Sequence, residues 1–107
     1  MAFVQVAKDV DVKEGKMKIV SVLGQEIVVA RVNGALHAFQ NTCTHKGGPL
    51  GEGELSGTVV TCPWHAVEFD IATGKVVKVP FGPGHGTGPI RTFPVKAENG
   101  AIWVDGF

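Results

Sequence analysis

Residues 62–65 read CPWH and residues 43–45 read CTH, so the chain's two cysteines each stand beside a histidine. Thiolate and imidazole are the side chains that bind zinc and iron–sulfur centres. Written out, the pattern is Cys43-x-His45, the sixteen residues 46–61, then Cys62-x-x-His65. Each half can present two donors from one tight turn, because side chains so close in sequence converge only where the backbone bends sharply. Gly47, Gly48, Pro49 and Pro63 are the residue types that such bends use. Two thiolates with two imidazoles suit one tetrahedral zinc, or a two-iron cluster with the cysteines on one iron and the histidines on the other.

Spacing separates these two. Zinc fingers place two cysteines in one knuckle and two histidines on a following helix. Here each loop supplies one of each, and no helical period follows. Two mixed loops let each loop reach both irons of a rhombic cluster from opposite sides, with two histidines replacing two cysteines on one iron. The candidate metal- and cofactor-binding residues are therefore Cys43, His45, Cys62 and His65, and no catalytic residue is proposed. A zinc-stabilised interaction module is the competing class. Colour distinguishes them, since a zinc protein is colourless and the oxidised cluster is red-brown.

The elements that must position these loops have a period of two. EIVVARV (26–32) and KMKIVSV (16–22) are rich in β-branched residues and apolar on both faces, as strands inside a sandwich are. Leu23–Gly24–Gln25 separates them, and Asn33–Gly34 predicts a tight hairpin into ALHAF (35–39). Glu98–Asn99–Gly100 plays the same part between RTFPVKA (91–97) and AIWV (101–104). Further strands are expected at 58–62, 67–70 and 75–79, and KDVDVKEGKMK (8–18) reads as a solvated edge. Two stretches rich in glycine and proline, 41–57 and 80–89, break the alternation and read as loops. The fold class is all-β, one domain over residues 1–107, a size that buries a core without dividing.

Composition excludes several classes. Ten basic residues balance ten acidic ones, which leaves no strong field for nucleic acid or an acidic membrane. The longest apolar runs, such as IVVA (27–30), are too short to cross a bilayer, and the start of the chain lacks the features of a secretory signal. A cytoplasmic location is the expectation, where two cysteines serve as ligands more readily than as a disulfide.

The run CTHKGGPLGEGELSGTVVTCPWHAVEFDIATGKVVKVP (43–80) resembles the two cluster loops, and the intervening strands, of Rieske-type [2Fe-2S] ferredoxins. These are small electron carriers of bacterial multicomponent oxygenase systems. Phe69, Asp70, Thr73 and Gly74 match that family's FD-x-x-TG run. The resemblance implies a Rieske fold: an antiparallel β-sandwich base with a small two-loop cluster-binding subdomain, the loops near 41–52 and 62–70. It implies one [2Fe-2S] cluster, with Cys43 and Cys62 on one iron and His45 and His65 on the other. Each histidine would bind through Nδ1, with Nε2 towards solvent. The implied partners are a flavoprotein ferredoxin reductase using a nicotinamide cofactor and a terminal oxygenase, met in transient contacts, with electron transfer at the histidine edge. A small subunit of an NAD(P)H nitrite reductase complex is the alternative setting. The family's glycine after the second histidine is replaced by Ala66, which implies strain of about 1 kcal/mol or more if that backbone needs a positive φ.

Other candidates are fewer. In similar ferredoxins a proline-containing third loop lies against the cluster; PFGPG in the 80–89 loop matches it and makes His85 a candidate for docking or tuning. His37 reads as a strand histidine on the face of Ala35 and Phe39. Trp64 and Leu50 are expected to shield the cluster or pack its loops. A mononuclear iron site would need two further histidines and a carboxylate in a second domain, for which 107 residues leave no room. The chain is therefore expected to carry electrons and not to catalyse by itself.

The resemblance also bears on potential. High-potential respiratory members have two more cysteines and hydroxyl donors including a tyrosine, whereas this sequence has two cysteines in all and no tyrosine. Hydrogen bonds to sulfur stabilise the more negative reduced cluster, so fewer donors mean a lower potential. The expected value is of order −150 mV, the low end of the Rieske range. It should be flat at low pH, then fall by about 59 mV per unit for each coupled proton as imidazole ligands titrate. Protein-film voltammetry across pH checks this; a potential flat well into the alkaline range would contradict exposed histidine ligands.

Overall fold

A computed structural model of the chain describes residues 2–45, 47–80 and 87–107. Three hairpins carry much of the fold, and each turns on two residues of positive φ. They are Leu23–Gly24 (51° and 81°), Asn33–Gly34 (51° and 79°) and Asn99–Gly100 (54° and 75°). Consecutive positive φ values twist a two-residue turn in the sense of the strands it joins, which is why Asn-Gly is favoured there.

Among the described residues the strands form three antiparallel sheets. β1 (Val4–Lys8), β11 (Ala101–Val104) and β10 (Val95–Glu98) make one, in that order. β2 (Met17–Val22), β3 (Gln25–Val32), β4 (Ala35–Gln40) and β9 (Thr92–Phe93) make the central sheet. β5 (Glu54–Ser56), β6 (Val59–Thr61), β7 (Glu68–Asp70) and β8 (Val76–Lys78) make the third.

β3 explains the layering. Ile27 and Val29 face one way, into an apolar cluster with Val20, Val22, Ala38, Phe93, Ile102 and Val104. Val28, Ala30 and Val32 face the other, into a cluster with Phe39, Leu50, Val60, Val67, Phe69, Ile71 and both cysteines. Side chains alternate across a strand, so an unbroken β-branched run feeds two cores at once. The first core closes the sandwich against the β1–β11–β10 sheet. The second fastens the third sheet and its loops to the central one. The all-β fold with a sandwich base and a small loop-bearing subdomain is thus as expected. Among the described residues no helix is long and apolar enough to cross a membrane.

Four local expectations are corrected. RTFPVKA is two strands: Pro94 has no N–H to give a ladder, and the chain leaves the central sheet at Phe93 to enter the first sheet at Val95. Residues 8–18 are more than a solvated edge. Val12 is buried, the Arg31 guanidinium bonds the Val12 and Asp9 carbonyls and the Asp9 carboxylate, and the Glu14 carboxylate accepts the N–H groups of Asn33 and Gly34. Residues 54–56, read as loop, form β5, because Leu55 pairs with Val60 and packs on the second core. The second loop ends at Val67, since Glu68–Asp70 is β7. Of the 80–89 loop, residues 81–86, including His85, lie outside the described residues.

Asn41 joins the central sheet to the first loop. It is buried; its Oδ1 accepts the Gly51 N–H at 2.8 Å and its Nδ2 donates to Glu26 Oε1 at 3.3 Å. Asn41→Ala leaves the Gly51 N–H without that acceptor, so stability should fall by about 1–3 kcal/mol. The shift in urea midpoint of the holo-protein measures it, and an unshifted midpoint would mean that water replaces the amide at no cost.

Candidate metal centre

The first loop runs from the end of β4 to β5. Its base is closed by the Leu50 N–H bonding the Asn41 carbonyl at 2.7 Å and by a bridge between Thr42 and Pro49. Within it, the Cys43 N–H donates to the Gly48 carbonyl and the Gly47 N–H donates to the Cys43 carbonyl, both at 2.9 Å. The second loop is the tip of the β6–β7 hairpin, and it repeats the pattern. The Cys62 N–H donates to the Val67 carbonyl at 2.9 Å and the Ala66 N–H donates to the Cys62 carbonyl at 3.0 Å. In each loop the residue four after the cysteine has a left-handed backbone: Gly47 at +80° and Ala66 at +59°. Ala66 therefore carries the strain that its sequence position implied, about 1 kcal/mol.

The two loops meet. Cys43 and Cys62 are only 2% and 3% exposed and belong to one apolar cluster with Leu50, which is fully buried. The rings of His45 and His65 lie 5.1 Å apart between centroids and nearly perpendicular, at 86°. His45 is half-buried with Nδ1 inside the protein, while His65 is exposed. Gly48 marks where the loops touch. A Cβ there would stand 2.8 Å from the Cys62 Sγ and 3.0 Å from the Trp64 ring, closer than carbon can approach sulfur. Trp64 is thus laid against the first loop at Gly48, yet it stays 57% exposed and shields only in part.

Residues around the loops hold them in register. The Thr44 hydroxyl, between Cys43 and His45, donates to the Gly88 carbonyl at 2.6 Å. The Gln40 side chain donates to the Thr42 carbonyl and accepts the Arg91 N–H, each at 2.6 Å. In the FD-x-x-TG turn, Asp70 Oδ1 accepts the N–H groups of Ala72 and Thr73, the Gly74 N–H bonds the Asp70 carbonyl, and the Gly74 carbonyl accepts the Ile90 N–H. Gly74, at φ +83°, packs so close to the Ile90 carbonyl that no side chain fits. The roles of Asn41, Gln40 and Thr44 were missed in the sequence, since none is a metal ligand by type; only the position of Thr44 between Cys43 and His45 signalled it. His37 is half-buried in the middle of β4, opposite Ala30, and outside the loops.

The donor set and the cradle fit a binuclear centre. A two-iron cluster needs two protein donors per iron, the rest being inorganic sulfide. Buried sulfurs beside more exposed imidazoles also match the polarity of such a centre.

Fold and site thus define a small all-β protein with two facing Cys/His loops. A family model, the Rieske [2Fe-2S] domain, matches residues 2–94. The chain belongs to the Rieske [2Fe-2S] domain family, and its cofactor is a Rieske-type [2Fe-2S] cluster. It is 37% identical over 95 residues to the ferredoxin component of the naphthalene 1,2-dioxygenase system of Pseudomonas putida, covering 89% of this chain and 86% of that one. Among solved structures it is similar to the ferredoxin of carbazole 1,9a-dioxygenase from Nocardioides aromaticivorans IC177. The TM-score there is 0.88, at 27% identity, over all of both chains. A second similar chain comes from the complex of reduced oxygenase and oxidised ferredoxin in carbazole 1,9a-dioxygenase. Its TM-score is 0.86 at 31% identity, with 97% of this chain and 93% of that one covered.

Gly48→Ala tests the meeting of the loops. The added methyl must push Cys62 and Trp64 away, so cluster occupancy after anaerobic purification should fall several-fold, read from the visible absorbance per chain. Full occupancy would show that the loops have slack that the geometry denies.

Proposed function

We propose that this protein is a soluble, cytoplasmic one-electron carrier of the Rieske ferredoxin type. It takes electrons from an NAD(P)H-dependent flavoprotein reductase and delivers them to a terminal ring-hydroxylating or related oxygenase. In this reading Cys43 and Cys62 hold one iron, and His45 and His65 hold the other through Nδ1. Bound there, the cluster supplies reversible one-electron oxidation and reduction near the low end of the Rieske range of potentials.

The observation that carries the reading is the juxtaposition of two buried cysteines with an exposed histidine at the tip of a hairpin. The protein's own residues then do three things. Leu50, Val60, Val67 and Phe69 pack beneath the cysteines and keep water from the sulfur side. His65 sets a conjugated ring at the surface, where a partner can approach to contact distance. Trp64 beside it offers an apolar face of the kind that weak redox complexes use in small interfaces. The balanced formal charge gives no long-range steering, which suits brief contact with two partners in turn. Nothing in these roles requires a bound substrate, and the protein is read as a component of an oxidoreductase system and not as an enzyme. The likeness to ferredoxin components of dioxygenase systems supports the same role.

Reconstitution tests this. With a ferredoxin reductase, NADH and the oxygenase component of a naphthalene-type system, product formation should depend on this protein and saturate with it, one electron being carried per chain per cycle. If the reduced protein is never reoxidised by any oxygenase component, the proposed role is wrong.

A further inference from the structure

We propose that the Thr87 hydroxyl donates a hydrogen bond to a bridging sulfide of the cluster and thereby raises its potential; this rests on the ligand set proposed above. Thr87 is half-buried as a residue, but its Oγ1 is buried and meets no hydrogen-bonding partner among the described residues. A hydroxyl shut away from water and left unbonded is costly, so such atoms have acceptors.

The neighbours of Thr87 say which acceptor is at hand. The carbonyl of Gly88 takes the Thr44 hydroxyl at 2.6 Å, which places the segment against the first loop between Cys43 and His45. Ile90 is buried in the same apolar cluster as Cys43 and Cys62, and its N–H is tied to Gly74 at 2.8 Å. The segment is thus held at Gly88 against the first loop and at Ile90 against the FD-x-x-TG turn, with Thr87 next to the first of these anchors. Neither cysteine Sγ is the partner of the Thr87 hydroxyl. For a donor pointing into the protein beside two loops that grip a two-iron cluster, inorganic sulfide is the acceptor at hand, with water its competitor. An O–H pointing at sulfide stabilises the reduced form, which carries the extra negative charge.

Two variants of the holo-protein test this, Thr87→Val and Thr87→Ser, each first shown by electron paramagnetic resonance of the reduced sample to hold the cluster. Voltammetry at fixed pH should give a lower potential for Thr87→Val and a nearly unaltered one for Thr87→Ser. Resonance Raman spectra in H2O and D2O should show bridging iron–sulfide bands that shift on deuteration in the unsubstituted protein and in Thr87→Ser, with that shift lost in Thr87→Val. An unaltered potential in Thr87→Val, or no deuterium shift in the unsubstituted protein, overturns the proposal and leaves water as the hydroxyl's partner. Absence of any cluster signal from the unsubstituted protein would instead overturn the ligand assignment, and the proposal with it.

Discussion

In both loops the cysteine N–H reaches forward five residues to a carbonyl, and the N–H four residues on returns to the cysteine carbonyl. This doubled backbone turn bends the chain so that a cysteine and a histidine two or three positions apart can face the same space. Ordering a residue costs on the order of 1–2 kcal/mol, so donors held by backbone hydrogen bonds are set in place with less entropy left to lose when metal binds. The turn also dictates composition. It forces a left-handed residue at the fourth position, met by Gly47 in one loop and, at some strain, by Ala66 in the other.

The loops would have nothing to press against without the central sheet. β3 is apolar on both faces, one filling the sandwich and the other filling the space beneath the cysteines. The same strand therefore joins global stability to the geometry of the metal centre. Asn41 and Gln40, where β4 ends, carry that connection into the first loop by hydrogen bonds, and Thr44 carries it on to the segment at Gly88.

Much of this was legible in the residues. Two Cys/His pairs with glycine and proline beside them marked the two loops that the fold brings together, and the glycine turns and β-branched runs marked the β2–β3, β3–β4 and β10–β11 hairpins. Even the strain at Ala66 could be anticipated from its place in the motif. What stayed hidden depends on partners distant in sequence. The Thr44–Gly88 bond spans 44 residues, and no local pattern announces it. β1 escaped notice because VQVAK leads straight into charged residues and is made a strand only by β11, which arrives from the other end of the chain. β5 was masked by the glycines around it; Gly53 is there because its backbone packs against the Thr61 carbonyl, a contact invisible before β5 and β6 pair.

The central claim is that these facing loops grip two bridged irons, with sulfur on one side and ring nitrogen on the other. Assay of iron, zinc and acid-labile sulfide in protein purified without oxygen tests it most directly. The account predicts about two irons and two sulfides per chain with no zinc. One zinc per chain, with neither iron nor sulfide, would contradict it.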